Sequence, residues 1–362
     1  MKPNEADCLT WLGGKVHKLP SNSVYGLSVV RNEIERLPYL LKYYRGIGVS
    51  QFLFVSDHSN DGTTEFLLKQ SDCSVFLPRT SFKDSKCGVD WQNFLLNSYC
   101  SNSWVVTFDA DEIFVFPHIE VLSLPLLCQF LDKEGSNAVG SFLLDMYSDG
   151  PISSAIYKSP EPFLSTSPFF DKDYKFIPGD SSATYVPSGK IIGGPRARLF
   201  YPFQNRYNLF TRAVMYAFVN VLQKYKIVRK SRLHYVPTLL KAPLVKWIGG
   251  SVRTGNHNIG NSNKIKMATV TSAILHFKFF SDFHERALVE IMRGQHYNGA
   301  QEYKKYASFV EKNTNFNLIY AGSRKYSGSV DLIRLGLIRS SLEFDSFIKD
   351  IDRIHDFHGF TS

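Results

Sequence analysis

The sequence predicts an α/β fold: an open, mainly parallel, twisted sheet flanked by helices, followed by a helical C-terminal segment. Three observations predict it. Over residues 24–117, short apolar runs alternate with stretches whose apolar residues recur at helical spacing. The runs are continuously apolar, as strands of a parallel sheet covered on both faces must be. Two of them end directly in aspartate clusters, where open parallel sheets place their ligands.

Val24–Val30 (VYGLSVV) reads as the first buried strand. Arg31-Asn32-Glu33 follows, then Ile34, Leu37, Leu40, Leu41 and Tyr44 on one helix face. Pro38 sits in that helix's first turn, and Gly46 and Gly48 end it. Gln51–Val55 (QFLFV) is a second strand. It runs into Ser56-Asp57-His58-Ser59-Asn60-Asp61-Gly62-Thr63, a loop of turn formers. A helix over 63–69, a strand over 74–77 and a helix over 88–99 lead to Trp104–Phe108 (WVVTF), which delivers Asp109, Asp111 and Glu112 to its carboxyl end. After Gly150 the pattern weakens. Residues 151–210 are rich in Pro, Ser, Phe and Tyr, with strand-like pieces at 190–192 and 197–201, and suit an acceptor-binding insertion or a lid. Thr271–Phe280 (TSAILHFKFF) again reads as strand. Beyond Asp282, FHERALVEIMRGQHY and EYKKYASFVEK are helical, with Ala287, Leu288 and Ile291 on one face, and one more amphipathic helix and a polar tail follow.

Composition narrows the function. With 362 residues and 44% apolar content, the chain can build a large core. A formal charge of +9 favours an anionic partner: nucleic acid, anionic headgroups or a phosphorylated substrate. The basic residues are dispersed, without a Lys/Arg run or an RNA-binding aromatic motif, so no nucleic acid is expected. Five cysteines without CxxC spacing argue against a disulfide framework or zinc site and favour a reducing compartment. The opening MKPNEADCLTWLGGKV has no apolar signal region, and no long uninterrupted apolar run occurs. A cytoplasmic location is therefore expected, with peripheral contact at the inner membrane face left open.

Two clusters carry the chemistry. In Phe108-Asp109-Ala110-Asp111-Glu112, alternate residues of an extended chain share a face, so Asp109 and Asp111 can point together into one cleft. Paired carboxylates suit Mn²⁺ or Mg²⁺, which prefer oxygen ligands and accept phosphates as further ligands. The bland alternative is an acidic turn capping the next element. In the second cluster, Asp57 at a strand end can accept from the imide N–H of uracil or the amide and amine of guanine. Such residues also serve any strand-to-helix loop.

Strand-Arg31-Asn32-Glu33, then VSDHSNDGT, then WVVTFDADE together resemble the N-terminal half of glycosyltransferase family 2 and its relatives with the GT-A, Rossmann-like fold, over about residues 24–117. The resemblance is strongest to the family 2-like bacterial branch whose third motif reads DADE. It implies that Asp57 contacts the base, that Asp109 faces the ribose and metal, and that Asp111 is the direct metal ligand. Arg31 and Glu33 fall where the family lines its nucleotide pocket. Ser56 and His58 replace the Asp and Gly of the usual VDDGS, which leaves the choice between UDP and another nucleotide open.

Further along, Lys241-Ala242-Pro243-Leu244-Val245-Lys246, Gly255-Asn256-His257-Asn258 and Leu275-His276-Phe277-Lys278 resemble a C-terminal motif of related GT-A enzymes, where a late histidine completes the metal site. His257 or His276 would be that ligand. For His276 the alternative is a hydrogen-bonded core histidine, and for His257 an ordinary surface one. Gly193-Gly194-Pro195-Arg196-Ala197-Arg198 sets Arg196 and Arg198 beside a turn, either to hold a diphosphate or anionic acceptor or as a solvated basic turn. An inverting transfer needs a carboxylate base, and Asp145 or Asp149, after the apolar run 139–144, is placed for it.

The expectation is a metal-dependent glycosyltransferase using a nucleotide-sugar, with a UDP-sugar favoured, and a carbohydrate or lipid-linked acceptor, as in surface polysaccharide or glycolipid synthesis. Residues 1–280 would form the GT-A domain, with a nucleotide half over 22–117 and an acceptor half over 118–280; residues 281–362 would form a helical extension. The competing readings are a sugar nucleotidyltransferase, disfavoured by the absence of glycine in Arg31-Asn32-Glu33-Ile34-Glu35, and a catalytically silent nucleotide-sugar or polyanion binder.

Overall fold

The computed structural model describes residues 8–15, 19–20, 23–177, 183–201, 238–260 and 263–359. The last part of the predicted insertion, 202–210, and the end of the polar tail lie outside them. The first half runs β1 (Leu9–Gly13), β2 (Val24–Val30), α1 (Leu37–Gly46), β3 (Val49–Ser56), α2 (Thr63–Leu68), β4 (Cys73–Pro78), α3 (Val89–Tyr99), β5 (Trp104–Thr107), β6 (Glu112–Val115), α4 (Leu124–Glu134) and β7 (Ala138–Tyr147). Then come α5 (Phe163–Thr166), β8 (Phe169–Asp171), β9 (Tyr174–Ile177), β10 (Tyr185–Val186), β11 (Lys190–Gly193), β12 (Leu240–Lys246), β13 (Val252–Arg253), β14 (Ile259–Gly260) and β15 (Met267–His276). The chain continues with α6 (Phe283–Arg293), α7 (Tyr297–Lys312), β16 (Ser323–Lys325), α8 (Ser329–Arg334) and α9 (Leu342–Gly359).

The main sheet has the order β1-β4-β3-β2-β5-β12-β7-β15-β6. Strands β4, β3, β2 and β5 form a parallel block, and β7 and β15 pair in parallel. Strands β1, β12 and β6 run the opposite way. The fold is therefore α/β with a largely parallel central sheet between helices. Strand β12 carries Pro243 in mid-sheet, where a proline removes a ladder donor. The register to β7 shifts between Lys241 and Leu244, and this bulge absorbs the missing N–H.

Phe108, just beyond β5, organises the core under the cleft. Its ring stacks on Tyr44 of α1 at 3.9 Å and meets Phe52 and Phe54 edge-on at 6.4 Å. Gly26 in β2 makes room for them: a Cβ there would lie 2.7 Å from the Phe52 ring and 3.1 Å from Phe108. The Tyr44 hydroxyl donates to the Glu112 carbonyl at 3.1 Å and accepts from the Phe114 N–H at 3.3 Å. Helix α1 thus fixes the strand that carries the acidic motif.

Two strand expectations change. The piece at 197–201 is a π-helical turn, Arg196–Phe200, because buried Ala197 and Phe200 recur at helical rather than alternate spacing. The strand expected over 271–280 ends at His276, after which Phe277 donates its N–H to the Asp111 carbonyl at 2.8 Å. The segment after residue 281 is helical but also tied to the sheet. Strand β16 pairs with β8, and Phe344 of α9 packs on Phe130 of α4 at 4.8 Å. No helix among the described residues is long and apolar enough to cross a membrane.

Candidate functional site

Strands β2, β3, β5 and β15 end on one edge of the sheet, and their loops surround a cavity of about 460 Å³ walled on its far side by α6. The turn formers after β3 stitch its rim. Asp57 donates its N–H to the Val30 carbonyl at 2.8 Å, joining the ends of β2 and β3. Asp61 accepts from the N–H groups of Thr63 (3.0 Å) and Ile34 (3.1 Å), and the Thr63 hydroxyl accepts from the Glu33 N–H at 2.8 Å. His58 takes φ 50°, a left-handed conformation that favours glycine, which is the residue the resembled loop carries at this point. Ser56 is buried, with its hydroxyl bonded to Ser59 and Thr64, so this replacement faces the loop interior.

The cavity brings together Arg31, Glu33, Asp57, Asp109, Asp111 and His276. Arg31 donates to the Asp57 carbonyl at 2.8 Å. The Asp57 carboxylate is already engaged by Arg293 of α6 at 2.7 Å. Glu33 is bonded by Arg36 at 3.2 Å and by Arg286 of α6, while Arg36 also holds Asp282 at 2.7 Å. Helix α6 is thus bolted across the two loops through their carboxylates.

The three carboxylates of the acidic motif divide by environment. Asp109 opens to solvent with its side chain 57% exposed and lies 3.5 Å from the Lys241 ammonium. Asp111 is 23% exposed and faces His276 Nε2 at 3.5 Å. Glu112 is buried, bonded to Lys241 at 2.6 Å and to the Asp109 N–H at 3.0 Å, so it braces the loop. Burial and the nearby Asp109 push its carboxyl up, while Lys241 opposes them. Arg253, also buried, donates to the Thr107 hydroxyl at 2.5 Å and secures the end of β5. Burial brings its guanidinium down to about 10.

His276 Nδ1 bonds Asp145 at 2.6 Å, and Asp145 also accepts from Arg196 Nε at 2.7 Å. Burial disfavours the imidazolium, but Asp111 and Asp145 outweigh it and raise His276 to about 9. Burial alone would raise Asp111, yet His276, Lys278 and Arg286 hold it well below the carboxylate range. Asp145 is brought to about 2 by Arg196 and His276 against its burial.

Other expected residues are placed elsewhere. Asp145 is fully buried with both oxygens engaged, which leaves no face for an acceptor hydroxyl. Asp149 is exposed, outside the residues lining this cavity. Arg198 pairs with Asp171 at 3.2 Å and lies over the Tyr320 ring, also away from the cavity. Among the described residues, Arg196 reaches the site through Asp145. His257 is half-buried and not among the lining residues, and burial with the nearby Lys241 lowers it to about 4. Sequence reasoning missed Arg286 and Arg293. Their signal was present as two arginines seven apart, on one face of α6.

Among the described residues, no three His, Cys, Asp or Glu side chains are grouped closely enough to form a metal cage. Mg²⁺ and similar hard ions are commonly bound by one or two carboxylates, completed by water and substrate phosphates. Asp109 and Asp111, open on the cavity, fit that mode. A histidine whose second nitrogen is held by a buried carboxylate is also a usual metal partner, and His276 with Asp145 fits it once the proton at Nε2 is displaced.

No protein-family model matches the chain, and no curated protein matches it. Among solved structures it is similar, at TM-score 0.26 and 8% identity over 89% of this chain and 99% of the other, to a protein of Bacillus anthracis described as a glucose-1-phosphate thymidylyltransferase in complex with sucrose; a likeness at that level carries no argument.

Proposed function

We propose that the chain is a metal-dependent glycosyltransferase that takes a sugar from a nucleoside diphosphate, a UDP-sugar in the favoured case, to a hydroxyl acceptor. One observation supports this reading above the rest. Asp109 and Asp111 open onto the same cavity as Arg31, Glu33 and Asp57, at the carboxyl edge of a largely parallel sheet. Asp57 and Arg31 would take the base. Asp109 and Asp111 would hold Mn²⁺ or Mg²⁺, with His276 beside Asp111. The bound ion would neutralise the diphosphate and the charge that develops on the leaving nucleotide. Glu112 and Lys241 keep the motif loop in place, and Asp145 and Arg196 orient His276.

With Asp145 enclosed, the base for the acceptor hydroxyl falls to Glu35 or Glu285, exposed carboxylates that line the cavity. The acceptor is a carbohydrate or a lipid-linked hydroxyl, and the net charge of +9 suits work beside anionic headgroups. Failure to float with anionic liposomes would remove the membrane part of this reading.

The deciding experiment is calorimetric titration of UDP and GDP with Mn²⁺ on wild type and Asp111→Ala. Micromolar binding that needs both metal and Asp111 is the expected result. Binding of neither nucleotide would overturn the donor-site reading.

A further inference from the structure

The stretch His276-Phe277-Lys278-Phe279-Phe280 contains one anomaly. Phe277, Phe279 and Phe280 are each 1% exposed, yet a lysine stands among them. A lysine in such company must bring its ammonium out to a polar partner or to water. Among the described residues Lys278 makes no hydrogen bond and no ion pair. The rings of Tyr303 and Tyr306 lie behind it at 5.1 and 5.2 Å, and its other outlet is the cavity, which it lines beside Asp111 and His276. Arg286 reaches the same cavity from α6. It is 39% exposed although bonded to Glu33, so part of its fork remains free to bind.

We infer that Lys278 and Arg286 form an anion seat beside Asp111 that takes the diphosphate of a nucleoside diphosphate. The inference rests on the proposed donor reading and adds protein cations to it, drawn from the segment after β15 and from α6. Neither residue belongs to the motifs at the ends of β2, β3 and β5. An ammonium backed by two aromatic faces and a guanidinium on a pinned helix are pre-positioned, so little ordering is needed when the anion arrives. The alternative is a purely structural lysine whose contacts with Tyr303 and Tyr306 hold α7 in place.

Titration of UDP, uridine and inorganic pyrophosphate, each with Mn²⁺, separates these cases on wild type, Lys278→Met, Lys278→Arg and Arg286→Gln. The seat predicts that Lys278→Met weakens UDP and pyrophosphate by roughly tenfold or more, leaves uridine unchanged, and is rescued by Lys278→Arg. Arg286→Gln should act in the same direction. Should it loosen α6 by unpairing Glu33, Lys278→Met decides alone, because among the described residues its ammonium is hydrogen-bonded to no carboxylate and meets Glu302 only through longer-range attraction. Unchanged pyrophosphate and UDP affinity in Lys278→Met overturns the seat. So does an equal loss for uridine and UDP. If wild type binds UDP and the variants match it, the donor reading stands without the seat. If wild type binds pyrophosphate but not UDP, and Lys278→Met weakens that binding, the seat stands as a diphosphate site and the nucleotide reading falls.

Discussion

The two halves of the sheet handle charge in opposite ways. In the parallel block β4-β3-β2-β5, the strands carry no charged residue and the carboxylates wait in the loops beyond them, at Glu33 and Asp57. Their partners come from outside the sheet, from Arg286 and Arg293 of α6. In the block β12-β7-β15-β6, the charges lie inside the strands: Lys241 in β12, Asp145 in β7, His276 in β15 and Glu112 in β6. These form buried pairs, His276–Asp145 between the adjacent strands β15 and β7, and Lys241–Glu112 between β12 and the start of β6. In the first, Glu33 and Asp57 are also buried, at 6% and 4% exposure, but they line the cavity, where an incoming ligand can compete for their arginines. The second fixes one geometry, because a buried charge without its partner is costly.

The comparison breaks most sharply at Asp145. Replacing it with Ala strands Arg196 and His276 in the interior, and the loss in unfolding free energy should be about 3–5 kcal/mol. Chemical denaturation of wild type and variant measures it. A loss below that of Asp57→Ala would show that the second block does not depend on its buried charges. Next in size is Gly26→Ala, an uncharged change in the parallel block. Its methyl would press on Phe52 and Phe108, and overpacking of this kind costs about 1–3 kcal/mol. If the charged and uncharged halves respond alike, packing and not polarity sets their stability.

The same contrast predicts a pH dependence. His276 has a folded-state value near 9 against an ordinary 6.5, so its contribution is fully present below 6.5 and lost as pH rises through 9. Asp145 is near 2 against an ordinary 3.8, so its contribution holds above 3.8 and is lost as pH falls through 2. Unfolding free energy followed from pH 6.5 to 9 should decline, and in His276→Gln that limb should flatten. An unchanged slope in the variant would assign the decline to other groups.

These differences explain what was legible in the sequence. Strand β2 was read with its observed bounds, β3, β4, β5, α2 and α3 within a residue or two, and α1 to its observed end though from Ile34 rather than Leu37, because each is a local pattern closed by its own turn formers. Asp57, Asp109 and Asp111 were visible because they follow closely on the apolar runs of β3 and β5. In the second half the signal is non-local. Glu112 and Lys241 are 129 residues apart and His276 and Asp145 are 131 apart, so nothing near any of them announces its partner. Asp145 looked like a base because it closes an apolar run; burial beside Arg196 made it a support. Strand β12 was hidden by Pro243, which counts against a central strand until the bulge is seen.

The smallest effect should fall on the Asp57–Arg293 pair. Arg293 is 14% exposed and also bonded to Glu290, so it keeps a partner when Asp57 is changed. Asparagine is isosteric and its carbonyl oxygen can still accept from Arg293, so Asp57→Asn should cost about 1 kcal/mol in stability. Its consequence should appear in binding instead, because asparagine offers a single carbonyl oxygen where the carboxylate offered two. A double-mutant cycle with Arg293→Gln, read by both denaturation and UDP titration, separates the two roles. Small coupling in stability together with lost nucleotide affinity in Asp57→Asn would identify the pair as a rim contact that ligand displaces. Coupling of several kcal/mol with unchanged affinity would place Asp57 with the buried charges of the second block and dissolve the distinction between the halves.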